Sequence, residues 1–337
     1  MHEPVEYPLC AVCDTGAYDR LVVRKGHQMV RCRQCGLVYM SPRPRNEEQF
    51  HALYTNHTYC ARQIRHASSP KRMREAHWRL DQVEQHAAGR GRLLDVGCSA
   101  ASFLVAARDR GWNVAGLDVS RGAIEHATSV HGLSASIGTL EDARFPSGSF
   151  DVVTLFECIE HMARPARALE AAARLLRPDG LLVITTPNID GLVPRVTYHL
   201  LARTIGAWEH PTPPHHLYQF SRRTLTALLE RTGFRVVAHR TRPMGLRYTA
   251  KQMQSAILDA LKRRYGWSAP ASASLPAGTG QSAPGAATTV SLPWAASRRA
   301  VRNIVAAFSW GLTLALYAFP VRRFGLGDAM LVVARKP

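Results

Sequence analysis

Two acidic side chains and a histidine lie at the ends of apolar segments in the middle of the chain. Asp95 ends the run RLLD, Asp118 ends the run NVAGLD 23 residues later, and His161 follows the run DVVTLF. A carboxylate at the second of these positions suits the hydroxyl pair of a ribose, and a histidine can accept a proton near neutral pH. The three side chains therefore predict a ligand site with a general base beside it.

Four cysteines near the N-terminus form a second reactive set. Cys10, Cys13, Cys32 and Cys35 give the pattern C-x2-C, 18 residues, C-x2-C, which is typical of a zinc ribbon with two hairpin knuckles around one tetrahedral ion. Four thiolates leave no open coordination position, so we expect the zinc to be structural. Chance cysteines or a disulfide pair are the alternative.

The other cysteines are Cys60, Cys98 and Cys158, which we expect to be small buried residues. No apolar signal segment follows Met1 in the run MHEPVEYPLC. Thiols available for zinc and the lack of such a segment both favour the reducing cytoplasm.

Alternating strands and helices must position the acids and the histidine. The segment RLLDVGCSAASFL predicts a strand ending at Asp95, a turn of small residues and the start of a helix. A second strand (NVAGLD), an acidic loop (GTLEDARFPSGSF) and a third strand (DVVTLF) follow, and a helix over 166–176 then leads into a strand over 181–186. This alternation predicts a parallel sheet covered on both faces, with ligands bound outside the carboxyl ends of its strands.

The region from about Arg92 to Thr241 resembles the class I S-adenosylmethionine-dependent methyltransferase family. The segments LLDVGC, GLDVS, FDVV, IEH, LLRPDGLLVITTPN and LLERTGFRVV occur in the family's order and spacing. The resemblance implies an α/β fold with a Rossmann-like, seven-stranded methyltransferase sheet. Its last strand, expected over 329–335, would run antiparallel, and the small zinc ribbon would precede the sheet.

The resemblance also implies the positions of the cofactor-binding residues. Asp95, Gly97 and Ser99 would lie near the methionine portion of S-adenosylmethionine, and Asp118 would bind the ribose hydroxyls. The loop around Glu141 would reach the adenine amino group, and the family usually has glycine where this chain has serine and alanine in the turn after Asp95. The predicted cofactor-binding residues are Asp95, Gly97, Cys98, Ser99, Ala101, Asp118, Val119, Glu141, Asp142 and Phe156.

Methyl transfer from a sulfonium is an in-line displacement, so the protein mainly aligns the acceptor and removes a proton from a hydroxyl. His161 is the first candidate base because it follows a strand at the cofactor edge. His216, with its neighbours His215 and Tyr218, is the second candidate. A structural hydrogen bond is the alternative role for each histidine.

The positive charge is concentrated in the C-terminal part of the chain. The formal net charge is +18, and residues 243–337 hold 12 basic and two acidic groups. We therefore expect an anionic partner there, either a membrane surface or a nucleic acid. The predicted organisation is a zinc ribbon over 1–45, a helical linker over 46–90, the methyltransferase core over 91–242, a basic and apolar insert over 243–327 and the final strand over 328–337.

The insert combines two unlike segments. Residues 268–291 are an uncharged tract of Ala, Pro, Ser and Gly, which predicts a flexible loop. Residues 304–320 form an apolar helix of 17 residues without a charge, flanked by arginines. Such a helix covers roughly 25 Å of a ~30 Å hydrocarbon core, which favours an interfacial or shallowly inserted helix over a buried helix or a full span.

The insert and the segment 187–220 are expected to cover the active site together. The resemblance extends to bacterial methyltransferases of cell-surface polysaccharide and glycolipid synthesis. It implies O-methylation of a sugar or related hydroxyl on a small-molecule or lipid-linked glycan acceptor, by a cytoplasmic protein peripheral on the inner face of the membrane. An RNA methyltransferase, a degenerate binding subunit and a nicotinamide dehydrogenase are the alternatives, and the last lacks its G-x-G-x-x-G phosphate cradle.

Overall fold

The computed structural model describes residues 5–45, 47–265, 294–318 and 325–337. The predicted flexible loop over 268–291 and the last two residues of the predicted apolar helix lie outside these ranges.

The centre of the molecule is a seven-stranded sheet. Its strands are β6 (Arg92–Val96), β7 (Asn113–Asp118), β8 (Ser134–Ile137), β9 (Phe150–Phe156), β10 (Leu176–Pro187), β12 (Arg235–Arg242) and β13 (Ala329–Arg335). Their spatial order is β12-β13-β10-β9-β6-β7-β8. The pairs from β10 to β8 are parallel, whereas β13 pairs antiparallel with both β10 and β12. The predicted fold class, with its antiparallel last strand, is confirmed.

The helices cover both faces of this sheet. They are α1 (Glu47–Thr55), α2 (His57–His66), α3 (Pro70–Glu84), α4 (Ser102–Asp109), α5 (Arg121–His131), α6 (Pro165–Leu175), α7 (Leu192–Thr197), α8 (Arg203–Ile205), α9 (Arg222–Arg231), α10 (Leu246–Tyr265) and α11 (Trp294–Ala318). The apolar sides of α6 and α9 pack on one face, and those of α3, α4 and α5 pack on the other. A sheet buried on both faces explains the nearly continuous apolar character of β9 and β10.

The N-terminal ribbon is joined to the core through a shared sheet. Its strands are β1 (Val5–Glu6), β2 (Tyr18–Arg24), β3 (His27–Cys32), β4 (Val38–Met40) and β5 (Arg43–Pro44). Strand β11 (Tyr218–Gln219) lies almost two hundred residues later, yet it pairs antiparallel with β4. The ribbon hairpins and the segment before α9 therefore form one four-stranded sheet.

The insert between β12 and β13 leaves and re-enters the sheet at the carboxyl end of β12. Arg242 pairs with Ala329, so α10 and α11 project from the sheet edge that also ends β6, β7 and β9. Both helices pack with α7 around a separate apolar cluster that includes Val193, Met253 and Val305. Helix α11 begins ten residues earlier than predicted, because Trp294 to Asn303 are helical as well.

Candidate active site

The turn between β6 and α4 is held in a strained backbone conformation. Gly97, Ser99 and Ala101 have positive φ angles of 72°, 50° and 62°. A Cβ atom at Gly97 would lie 2.8 Å from Sγ of Cys158, so only glycine fits there. The N–H of Gly97 donates to the carbonyl of Leu117 over 2.7 Å, which fixes the turn to the end of β7. A tight turn at this point brings backbone N–H groups to the edge of a ligand cleft.

Asp118 lies at the end of β7 with both carboxylate oxygens directed by backbone donors. The N–H groups of Ser99 and Ser120 each donate to one oxygen over 2.8 Å. Burial raises the pKa of this carboxyl above its usual value. Each oxygen keeps a second lone pair, so Asp118 can accept two further hydrogen bonds from a diol.

Asp95 lies deeper, at the end of β6. It is 3% exposed and accepts a hydrogen bond from Oγ1 of Thr154 over 2.6 Å. Burial raises its pKa to about 7. Arg79 of α3 lines the same part of the cleft, where it pairs with Glu75 over 3.0 Å and lies over the ring of Phe156. Sequence analysis missed Arg79 because it lies in the predicted helical linker, among several arginines with no distinguishing motif.

A cleft lies outside the strand ends, between the turn after β6 and the segment that carries His161. The predicted residues that line it are Gly97, Ser99, Asp118, Val119 and Glu141. The predicted residues that line its adjoining part, next to Arg79, are Asp95, Cys98 and Phe156. The structure thus brings together most of the predicted cofactor residues.

Two predicted cofactor residues do not face the cleft. Ala101 is fully buried at the start of α4 and packs in the apolar layer beneath that helix. Its methyl group therefore points away from the ligand space. Asp142 accepts a hydrogen bond from Oγ1 of Thr139 over 2.7 Å and lines a separate groove.

Helices α1 and α2 cover the cleft, which sequence analysis did not predict. Tyr54, Tyr59, Cys60 and Gln63 from this pair line the cavity. Sγ of Cys60 lies 2.9 Å from Oγ of Ser120, next to the Asp118 carboxylate. The sequence feature that could have predicted this cover is the run LYTNHTYCARQ, which combines aromatic and polar residues.

His161 lines the cleft together with Gly97 and Ser99 of the turn after β6. Its Nδ1 atom is 2.8 Å from the Tyr54 hydroxyl and 2.7 Å from the carbonyl oxygen of His215. The Tyr54 hydroxyl donates to the same carbonyl over 2.9 Å. With Nδ1 protonated, its N–H donates to the His215 carbonyl, to which the Tyr54 hydroxyl also donates, and that tautomer leaves a lone pair on Nε2. Burial lowers the pKa of His161 to about 4, so the ring is neutral at physiological pH.

His216 lies behind His161 and outside the cleft. The two rings are 4.8 Å apart, and His216 lines a small polar cavity next to Glu209 and His210. One ligand atom each from Glu160, His161 and His216 lies within 4.8 Å of the others. Oε1 of Glu160 and Nδ1 of His216 have no hydrogen-bond partner in the described part of the chain. The three side chains can therefore hold a bound water or a divalent cation.

Residues 56–239 match the family model described as a methyltransferase domain. The chain belongs to this methyltransferase family. The match includes the cover helix α2, the strands β6 to β10 and most of β12, together with Asp95, Asp118 and His161.

Several curated relatives share this methyltransferase domain. The ubiquinone biosynthesis O-methyltransferase of Hahella chejuensis is 36% identical over 118 residues, which are 33% of this chain and 49% of that protein. The protein of the same name from Xanthomonas oryzae is 33% identical over 156 residues, covering 40% and 62%. The chain thus spans about half the length of the curated relatives it matches.

Among solved structures, a SAM-dependent methyltransferase from Archaeoglobus fulgidus aligns with a TM-score of 0.46 and 17% identity. The alignment covers 78% of this chain and 94% of that one.

The four predicted metal ligands lie before the segment that matches the methyltransferase domain. Sγ of Cys10 is 3.4 Å from that of Cys35, and Sγ of Cys13 is 3.5 Å from that of Cys32. All four sulfurs lie within 4.8 Å of one another. A tetrahedral zinc site with Zn–S bonds of about 2.3 Å needs sulfurs roughly 3.8 Å apart, so the thiols fit one zinc ion.

Proposed function

We propose that this protein is an S-adenosylmethionine-dependent O-methyltransferase. The observation that carries the proposal is the Asp118 carboxylate, whose oxygens are oriented by the N–H groups of Ser99 and Ser120 at the mouth of the cleft. In a methyltransferase domain, this is the arrangement that accepts both hydroxyls of a ribose.

The neighbouring residues suit the rest of the cofactor. Arg79 offers a cation for the carboxylate of the methionine portion, and Asp95 offers an acceptor for its ammonium group. Glu141 and Val119 border the space in which the base would lie. Bound S-adenosylmethionine supplies an electrophilic methyl group on a sulfonium.

His161 is our candidate for the general base. The contacts with Tyr54 and His215 fix its ring in the cleft wall, with Nε2 3.9 Å from Oε1 of the buried Glu160, and we propose that this ring takes the proton of an acceptor hydroxyl. His216 packs against this ring from behind, and we propose it as a positioning residue.

We further propose that the acceptor is a sugar or related hydroxyl of a cell-surface glycan or lipid-linked precursor, methylated at the inner face of the cytoplasmic membrane. The names of the relatives support oxygen as the methylated atom. They also favour a second candidate, an O-methylation step in ubiquinone biosynthesis. We propose that the ribbon binds one structural zinc ion.

Calorimetry of S-adenosylmethionine and S-adenosylhomocysteine binding tests the cofactor site. We expect micromolar binding by the wild type and a loss of at least about 100-fold in Asp118→Ala, because the diol loses its acceptor and two backbone donors lose theirs. Asp109→Ala is the matched control, since Asp109 is 58% exposed and lies outside the cleft. Absence of cofactor binding in folded wild type would favour a degenerate binding subunit.

Transfer of a labelled methyl group into cell fractions identifies the acceptor. Label in a glycan or lipid-linked sugar fraction supports the first candidate, label in a quinone fraction supports the second, and label in RNA contradicts both. His161→Asn should bind the cofactor normally while lowering the transfer rate by about 10²-fold or more.

A further inference from the structure

Three side chains with ligand atoms for a metal meet where the cleft adjoins the small polar cavity. They belong to Glu160, His161 and His216, and one ligand atom from each lies within 4.8 Å of the others. His161 lines the cleft, His216 lines the small cavity, and Glu160 is 1% exposed. Two imidazoles and one carboxylate are a set with which proteins bind zinc and similar divalent cations while leaving further coordination positions open.

The Glu160 carboxyl is held with one oxygen unpartnered. Its Oε2 atom accepts a hydrogen bond from Oγ1 of Thr186 over 2.9 Å, whereas Oε1 has no hydrogen-bond partner in the described residues. A buried oxygen of this kind is costly unless a ligand satisfies it. Nε2 of His161 lies 3.9 Å from Oε1. Since metal–ligand bonds of about 2.0–2.2 Å allow two ligands of one cation to be about 4 Å apart, these two atoms can share a cation.

The His161 ring is oriented for coordination through Nε2. With Nδ1 protonated, its N–H donates to the carbonyl of His215 over 2.7 Å. A metal-binding histidine almost always donates its other ring N–H to a carbonyl, a carboxylate or water, which fixes the tautomer and the direction of the coordinating lone pair. The hydrogen bond to Glu160 from Thr186 fixes the carboxylate ligand in the same way.

His216 adds a second unpartnered atom, and the backbone holds it close to Glu160. Its Nδ1 is buried and has no hydrogen-bond partner in the part of the chain that the structure describes. The N–H of the next residue, Leu217, donates to the carbonyl of Glu160 over 2.9 Å, and the carbonyl of Leu217 accepts from the N–H of Met40 in β4 over 2.8 Å. The two segments that carry the three side chains are therefore joined before any ligand binds, which favours a preformed site.

We propose that Glu160, His161 and His216 bind one divalent transition-metal cation, distinct from the zinc ion of the ribbon. The site goes beyond the proposed function, and only its effect on methyl transfer rests on that function. The Nε2 lone pair of His161 cannot bind a cation and take the proton of an acceptor hydroxyl at the same time. A cation bound there should therefore slow a transfer that uses His161 as the general base.

Calorimetric titration with Co²⁺ tests the site in the full-length protein that already holds one zinc ion per chain. Soft thiolates select zinc, whereas imidazole and carboxylate ligands accept other divalent transition metals, so Co²⁺ reports on the second site. We expect one Co²⁺ per chain to bind with a micromolar dissociation constant. Elemental analysis after gel filtration should then find one zinc ion and one cobalt ion per chain.

Glu160→Gln keeps the size of the side chain but removes its negative charge, so it should weaken Co²⁺ binding at least about tenfold. His216→Gln should weaken it to a similar extent, and it decides the question if Glu160→Gln does not fold. The melting temperature of each metal-free variant reports folding. His51→Gln is the matched control, because His51 lines the same cleft but is not a member of the cluster. It should bind Co²⁺ as the wild type does.

Two results would overturn the proposal. In one, the wild type binds no Co²⁺ beyond the zinc ion, which would make water the occupant of the cluster. In the other, folded Glu160→Gln and His216→Gln both bind Co²⁺ normally. Cobalt binding that speeds methyl transfer would support the site and contradict the general-base role of His161. Intact cobalt binding without S-adenosylhomocysteine binding would support the site and contradict only the proposed function.

Discussion

At the scale of single residues, buried carboxyls lie beside the cleft and beside the neighbouring small cavity, among them Asp95, Glu209 and Asp328. Burial raises the pKa of Asp95 and that of Glu209 to about 7, and the pKa of Asp328 to about 6. Asp95 lies where the ammonium group of a cofactor would compensate its charge. Neither carboxylate oxygen of Glu209 lies within hydrogen-bond distance of a partner in the described residues, so burying its charge is costly.

Glu209→Gln should therefore change how stability depends on pH. The folded protein holds the Glu209 proton more tightly than the unfolded chain, whose glutamates titrate near 4.5. The stability that this proton confers is present at low pH and is lost as the pH rises towards 7. The free energy of unfolding of wild type minus that of Glu209→Gln should fall by up to about 3 kcal/mol between about pH 4.5 and pH 8. Urea unfolding at several pH values measures it, and a difference that does not change with pH would contradict the assignment.

At the scale of elements, one ribbon strand anchors the segment that carries Glu209 and His216. Arg24, at the end of β2, is 2% exposed and donates to the carbonyl of Trp208 over 3.0 Å and to the carbonyls of Glu209 and Pro211. These bonds hold the backbone from the ribbon side while the Glu209 and His216 side chains line the small polar cavity. The ribbon thus positions the second histidine.

Arg24→Met should loosen this segment selectively. Three buried carbonyls lose their donor, so we expect a loss of about 2 to 4 kcal/mol in the free energy of unfolding. Hydrogen exchange over 207–217 should become faster, while exchange in β6 and β7 stays unchanged. Arg20→Met on the same strand is the control, because Arg20 is exposed. Equal protection of residues 207–217 in both variants would show that Arg24 does not anchor the segment.

At the scale of the whole molecule, the N-terminal ribbon contacts the methyltransferase domain at several points. Besides the β4 and β11 pairing, Arg231 of α9 donates to the carbonyl of Val12 over 2.9 Å and pairs with Asp14. Arg43 donates to the Tyr218 hydroxyl over 2.9 Å and to the carbonyl of Ala163, two residues after His161. We therefore expect disorder in the ribbon to affect the His161 side of the cleft more than the β6 and β7 side.

Metal removal tests this coupling. We expect one zinc ion per chain, and chelation or Cys32→Ser should lower the melting temperature by about 5 °C or more. Hydrogen exchange should increase in β11 and around His161, whereas S-adenosylhomocysteine binding at the β6 and β7 side should weaken less than threefold. A metal-free protein with an unchanged melting temperature would show that the cysteines bind no structural zinc.

The sequence determined the sheet and the cofactor side of the cleft. Periodic apolar runs that end in Asp95 and Asp118 specify strands, and the carboxyl ends of parallel strands must meet at one edge. Local backbone requirements, such as the positive φ angle at Gly97, follow from the same short segment. These features depend on neighbours along the chain, which is why they could be predicted.

Only the tertiary structure decided what approaches the cleft from distant parts of the chain. Tyr54 and Arg79 belong to helices whose amphipathic pattern does not specify which part of the domain they pack against. Ala101 is buried because helix α4, which begins directly after it, packs on the sheet. The sequence also indicated that residues 304–320 are apolar, but not which side of the helix stays outside. That depends on Thr249, Asp328 and the packing of α10, because long-range contacts decide which side of a helix is buried.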